Sequence, residues 1–147
     1  MPTPDVRDLE RFVRAQQPVY SEVLSELRSG RKESHWMWFI FPQLRGLGQS
    51  TMAHRYGIAS RLEAEAYLAH PILGARLIEC TGLVNAVEDA PIEGILGDID
   101  GLKFRSSMTL FDAVSARGSV FEAALAKYYA SRKDLVTLEM LSADAAN

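Results

Sequence analysis

The chain has 147 residues and a mass of 16.3 kDa, which fits one compact domain over residues 1–147. Apolar residues make up 48% of it, enough for a core without disulfide or metal support, and the single cysteine excludes an internal disulfide. A net charge of −3 argues against a nucleic-acid polymer as partner, and no apolar run is long enough to cross a membrane. We therefore expect a cytoplasmic protein whose ends, 1–6 and 143–147, are frayed.

Helix boundary signals recur along the chain, and between them apolar residues return every three or four positions. Capping residues and capping boxes mark helix starts, while proline and glycine mark turns. These signals predict an all-α fold of seven or eight short helices. The helices are predicted to run from Asp8, from Val19 to Leu27, from Ser60 to His70, from Pro71 past Leu83, from Pro91 to Gly97, from Leu102 to Ala116, from Ser119 to Tyr128 or Tyr129, and from Asp134.

The segment 34–43, Ser-His-Trp-Met-Trp-Phe-Ile-Phe-Pro-Gln, holds both tryptophans of the chain. Its apolar run is typical of a buried core helix, with a buried strand as the alternative, since so short a run has no diagnostic period. A functional interpretation makes Trp36 or Trp38 a stacking wall for a planar ligand. His35 and Gln43 would then be the polar anchors of that ligand.

Arg45 opens a glycine-rich turn, Arg-Gly-Leu-Gly-Gln-Ser-Thr, that precedes a predicted helix near Met52. Free N–H groups at a helix start, flanked by an arginine, favour an anion. A plain interhelical turn explains the same residues, because the spacing fits neither a P-loop nor a dinucleotide fingerprint.

Charge is unevenly distributed along the chain. Residues 28–61 hold six basic residues and one acidic residue, whereas residues 79–100 hold six acidic residues and no basic one. Three interpretations are open for these two charged segments. They are solvated faces of the protein, or they pair with each other across the fold, or the basic segment lines a cleft that binds an anion.

A second polar cluster begins at the end of the acidic segment. Lys103, Ser106 and Ser107 are three and four residues apart, so a helix presents them together to a phosphate or carboxylate. Asp98 or Asp100 would be the acid–base partner or the lysine counter-ion. The alternative is structural: Asp100 caps the helix, Lys103 is exposed, and the serines bond back to the preceding turn.

The sequence lacks the motifs that are typical of metal-dependent catalysis and of nucleophilic catalysis by serine or cysteine. Three histidines without metal-ligand spacing argue against a catalytic metal, and we predict no cofactor. No G-x-S-x-G elbow is present, and Cys80 lies in an apolar stretch typical of an inert core thiol.

Taken together, these segments resemble an uncharacterised family of small, mainly helical bacterial proteins, some of which carry the label "calpastatin". The resemblance spans roughly residues 8–141 and implies a mainly α fold without implying an activity. The matching segments are 8–13, 34–43, 46–48, 65–68, 70–74, Lys103 with 106–111, and Asp134 with Thr137 and Leu138. More distantly, the chain is similar in general character to the helical N-glycosidases that act on ADP-ribose conjugates and riboflavin precursors. That similarity transfers no catalytic residue.

Two functions follow as hypotheses. In the first, a pocket binds a small anionic, nucleotide-like ligand through the tryptophan and Lys103 clusters, and Asp98 or Asp100 serves as general base if the protein hydrolyses an N-glycosidic bond. In the second, a non-catalytic module uses its basic and acidic segments to dock partner proteins or a second copy of itself.

Overall fold

The protein is built from ten α-helices and one 3₁₀ turn, in a computed structural model that describes residues 6–146. No β-strand occurs within that range; one parallel bridge joins Leu44 and Ile58. None of the described helices is sufficiently long and apolar for a membrane span. The elements are the 3₁₀ turn Val6–Leu9, α1 Glu10–Gln16, α2 Tyr20–Arg28, α3 Met37–Ile40, α4 Thr51–Arg55, α5 Arg61–Ala69, α6 Leu73–Ala86, α7 Ile92–Leu96, α8 Asp98–Ala113, α9 Val120–Tyr129 and α10 Leu135–Ala146.

The all-α prediction is confirmed, and the helix count exceeds the seven or eight expected. The two elements beyond the eight listed above are short: α3 has four residues and α4 has five. The first lies in segment 34–43, where the sequence allowed a helix or a strand, and the second lies at the helix predicted near Met52. The prediction of frayed ends falls mostly on residues outside the described range. Within that range, residues 143–146 are the last residues of α10.

Both predicted capping boxes are present. Ser60 accepts the Glu63 N–H at 3.1 Å, and the Glu63 carboxylate accepts the Ala59 N–H at 2.7 Å. Ser119 and Glu122 repeat this arrangement at the start of α9. Each serine satisfies an N–H that the helix start leaves unpaired, and each glutamate accepts the N–H of the residue before the serine, one position earlier than in a standard capping box.

Two predicted boundaries differ from the structure. Asp8 does not cap α1, because its carboxylate pairs with Arg11 at 3.2 Å and α1 begins at Glu10 without a side-chain cap. Helix α8 begins at Asp98, four residues before the predicted Leu102. Gly97 allows this early start, since its φ of +93° makes a tight turn between α7 and α8 that a residue with a Cβ rarely adopts.

Helix α8 is the centre of the core. It packs against α5, α7, α9 and α10, and eight of its sixteen residues are buried. Aromatic rings continue from it in both directions: Phe104 meets Phe41 edge to face at 4.9 Å, while Phe111 contacts Tyr67 and Phe121. Tilted and edge-on aromatic contacts of this kind add to the burial energy of the rings.

The carboxylate of Glu26 organises the chain between α2 and α3. It accepts the backbone N–H groups of Glu33 and Ser34, the Ser34 hydroxyl, and the indole N–H of Trp36 at 3.0 Å. Burial by itself raises the pKa of Glu26, but the hydrogen bonds from Ser34, Glu33 and Trp36 outweigh it and lower the pKa to about 2.

We expect Glu26→Gln to lower the free energy of unfolding at pH 7 by about 2 kcal/mol, because ionised acceptors make the stronger hydrogen bonds. A lowered pKa means that this stabilisation is complete above the ordinary value of 4.5 and is lost as the pH falls towards 2. Urea unfolding of the native protein and the variant at pH 7 measures the loss of stability, and the same experiment at pH 3 measures how much smaller that loss is in acid. The exposed Glu10→Gln is the control, and an equal loss for Glu26→Gln at both pH values would contradict an ionised carboxylate.

Alanine substitution of two glycines in α6 is expected to have opposite effects on the stability of the protein. A Cβ on Gly74 would overlap the carbonyl oxygen of Leu68 in α5, whereas a Cβ on Gly82 would meet nothing within 4 Å. We expect Gly74→Ala to destabilise the protein by about 1–3 kcal/mol through overpacking and Gly82→Ala to stabilise it by up to about 1 kcal/mol. Thermal unfolding of both variants checks the pair, and shifts of the same sign would refute the close approach of α5 and α6.

Candidate functional site

A surface groove brings together predicted ligand residues from both halves of the chain. It has a volume of about 250 Å³ and lies between the loop after α3 and the starts of α8 and α10. We call it the Lys103 groove. Its lining residues are Gln43, Leu47, Gly48, Ile99, Leu102, Lys103, Ser106, Asp134 and Val136.

Trp38 lies next to the groove. The ammonium of Lys103 is 5.3 Å from the centroid of its ring, within cation–π range. Trp38, Gln43 and Lys103 also line a cavity of about 10 Å³, room for about one water molecule. The indole N–H of Trp38 is buried and has no acceptor among the described residues. The Lys103 ammonium and the Gln43 amide therefore place hydrogen-bond donors close together, beside a half-buried tryptophan whose own N–H is buried.

The backbone around the groove is held by the bridge between Leu44 and Ile58. The Ile58 N–H donates to the Gln43 carbonyl at 2.9 Å, which anchors the loop that carries the Gln43 side chain. Gly48 allows this loop to lie close to α4, because a Cβ there would come within 2.7 Å of the Ala53 Cβ. The Ser50 hydroxyl then caps α4 by accepting the Ala53 N–H.

Asp100 lies between two lysines. Its carboxylate is 2.9 Å from the Lys32 ammonium and 3.8 Å from the Lys103 ammonium. Lys32 in turn lies 5.1 Å from the ring centroid of Trp36. One carboxylate therefore faces two cations, and the nearer of them is Lys32, which leaves the charge of Lys103 only partly compensated.

A carboxylate that lines the groove itself belongs to Asp134, and it caps α10. One of its oxygens accepts the Ser106 hydroxyl at 3.0 Å together with the backbone N–H and hydroxyl of Thr137. This confirms the predicted cap. It also shows that the Ser106 hydroxyl is engaged in tying α8 to α10, and that the charge of Asp134 faces a helix N-terminus, where it is favourable.

Three other predicted ligand residues lie apart from the groove. Trp36 is 1% exposed and bonded to Glu26, so it is a core residue, with no face open to a ligand. Ser107 is completely buried, and its hydroxyl has no partner among the described residues. His35 is exposed and does not line the groove.

Arg45 and Asp98 also lie outside the groove. Arg45 donates to the carbonyls of His54 and Gly57, so it holds the end of α4. Asp98 is exposed and borders a separate depression beside Tyr129. Of the two predicted carboxylates, Asp100 is therefore the one in contact with Lys103.

Sequence reasoning missed the buried Glu26 and the aliphatic residues at the groove. The signal for Glu26 was available: Val23, Glu26 and Leu27 share the buried face of α2, and a carboxylate on an apolar stripe needs hydrogen-bond donors. Ile99 and Leu102 gave no such signal, because their exposure depends on the tertiary position of α8.

No group of three or more histidine, cysteine or acidic side chains within the described range is placed to bind a metal. Cys80 is buried, and burial raises the pKa of its thiol to about 12. The thiolate needed for nucleophilic chemistry is therefore strongly disfavoured at neutral pH.

Comparison with known proteins agrees with this fold. The family model described as "Protein of unknown function (DUF1810)" matches residues 6–141. The chain is similar to the solved structure of the conserved hypothetical protein Rv1873 from Mycobacterium tuberculosis, with 58% identity and a TM-score of 0.90 over 92% of this chain and 96% of that one. A search of the curated proteins gives no match. The chain belongs to the DUF1810 family of proteins of unknown function.

Proposed function

We propose that the protein binds a small anionic molecule in the Lys103 groove. The observation that carries this proposal is the meeting of Lys103 and Gln43, from distant parts of the chain, in one groove, with the ring of Trp38 beside them in contact with the Lys103 ammonium. The Lys103 ammonium and the Gln43 amide each offer N–H donors to a ligand in the groove. An anion supplies the acceptors that this set lacks.

The charge balance around the groove favours the same ligand. Lys32 and Lys103 share the carboxylate of Asp100, and one oxygen of the Asp134 carboxylate accepts the donors of the α10 cap. A small anion beside Lys103 therefore meets an ammonium whose charge is only partly compensated.

The contacts of Asp100 favour the counter-ion role that the sequence left open beside general-base catalysis. Both of its oxygens face lysines. Neither Asp98 nor Asp100 lines the groove itself, but Asp100 contacts Lys103 at 3.8 Å, so an N-glycoside hydrolase built on this site would use Asp100 as its base. We accordingly propose binding as the function of the groove and keep hydrolysis as the reaction to be assayed on any nucleotide-like ligand that binds.

We expect inorganic phosphate or a nucleoside monophosphate to bind the native protein and Lys103→Gln to weaken that binding at least about tenfold, through loss of a charge-assisted contact. Isothermal titration calorimetry at matched ionic strength measures it. Arg117→Gln, which removes one exposed positive charge elsewhere, is the control. Unchanged affinity in Lys103→Gln, or no binding of any anion, would refute the proposal.

Asp100→Asn provides a test of opposite sign. Removing the negative charge 3.8 Å from the Lys103 ammonium is expected to tighten anion binding by up to about fivefold, the effect of two like charges about 4 Å apart in water. A residue that acts only to hold Lys103 in place would instead weaken binding when replaced. The same titrations distinguish the two results, and the ratio of the two dissociation constants should shrink as salt is added.

A further inference from the structure

We propose that the ligand of the Lys103 groove is amphipathic, an anionic head group on an aliphatic chain. This inference rests on the anion site proposed above and specifies the class of molecule that it takes. The head group would lie at Lys103 and Gln43, and the chain would lie along the aliphatic wall at the starts of α8 and α10.

The aliphatic wall is an unusual surface. Ile99 is 71% exposed, Leu102 is 67% exposed and Val136 is 51% exposed, yet all three line the same groove as Lys103. Large aliphatic side chains left together at the surface mark a place where apolar area is to be covered. Ile99 and Leu102 are one turn apart on α8, and Val136 joins them from α10, so the wall is continuous.

Stacking of a planar base on Trp38 is disfavoured by the same geometry. The Lys103 ammonium already lies over the ring at 5.3 Å, and the cavity that Trp38 lines holds only about 10 Å³. A base that stacked on this face of the ring would have to displace Lys103. An aliphatic chain needs no such movement, because the wall that would receive it is already exposed.

The shape of the groove agrees with a chain of moderate length. At about 250 Å³ it lies just below the range of typical small-molecule pockets and is open along one side. Asp134 and Ser106 also line the groove, where the Ser106 hydroxyl donates to an Asp134 oxygen that belongs to the cap of α10. The donors offered to an anion are therefore those of Lys103 and Gln43, and the aliphatic residues supply the apolar contacts.

The experiment is a calorimetric titration with straight-chain carboxylates from acetate to octanoate and with the matching alkyl phosphates, each kept below its aggregation concentration. Nucleoside monophosphates and inorganic phosphate complete the panel. We expect each added methylene to tighten binding by about two- to fourfold, as burial of a CH₂ group predicts. The two series separate the carboxylate from the phosphate as head group.

Ile99→Ser tests the wall, and Ile78→Ser on α6 is its control, since Ile78 is 50% exposed and does not line the groove. We expect Ile99→Ser to flatten the dependence on chain length while leaving acetate and phosphate binding unchanged, and Ile78→Ser to behave as the native protein does. Lys103→Gln is expected to weaken every member of both series.

Three results would overturn the inference, and they differ from one another. If phosphate or nucleotides bind in a Lys103-dependent way but longer chains bind no more tightly, the anion site is supported and the aliphatic ligand is refuted. If no ligand binds in a Lys103-dependent way, the anion site and the aliphatic ligand are both refuted. Concentration-dependent self-association by sedimentation that disappears in Ile99→Ser, with no effect of chain length, would assign the wall to a second copy of this chain.

Discussion

The structure depends on one buried carboxylate. Glu26 receives four hydrogen bonds from the segment that follows α2, and these bonds fix where Trp36 enters the core and where α3 begins. An ionised side chain that is only 8% exposed would destabilise the protein if it lacked those donors. Because Glu26 has these donors, the segment between α2 and α3, which has no regular secondary structure, is held in a single conformation. The aromatic residues beyond it can then pack in one way only.

The candidate site follows from that constraint. With Trp36 held in the core, Trp38 lies on the other side of α3 and meets Lys103 of α8. The two tryptophans thus have separate roles, one structural and one at the groove, although they are two residues apart. Asp100 connects the two regions by facing Lys32 beside Trp36 and Lys103 beside Trp38. A change of charge at the groove is therefore also felt at the edge of the core.

Local chemistry could be predicted from the sequence and tertiary placement could not. The capping boxes at Ser60 and Ser119 and the cap at Asp134 depend on residues within one helical turn, and all three are present. The predicted cluster of Lys103, Ser106 and Ser107 is only partly brought together. Lys103 and Ser106 line the same groove, where the Ser106 hydroxyl bonds to Asp134, whereas Ser107 is completely buried on another side of α8. Helical spacing gives the relative direction of side chains, but which direction faces solvent is decided by the neighbours.

The groove combines features that do not serve stability. Exposed aliphatic side chains at Ile99 and Leu102 gain little from folding, since most of their area stays in water. Lys103 contributes little as well, because a partly exposed ion pair at 3.8 Å is weak. These groups lie together on α8, and eight of its sixteen residues are buried. The groups are therefore supported by a rigid helix. A binding site gains from such rigidity, because less conformational freedom is lost when the ligand binds.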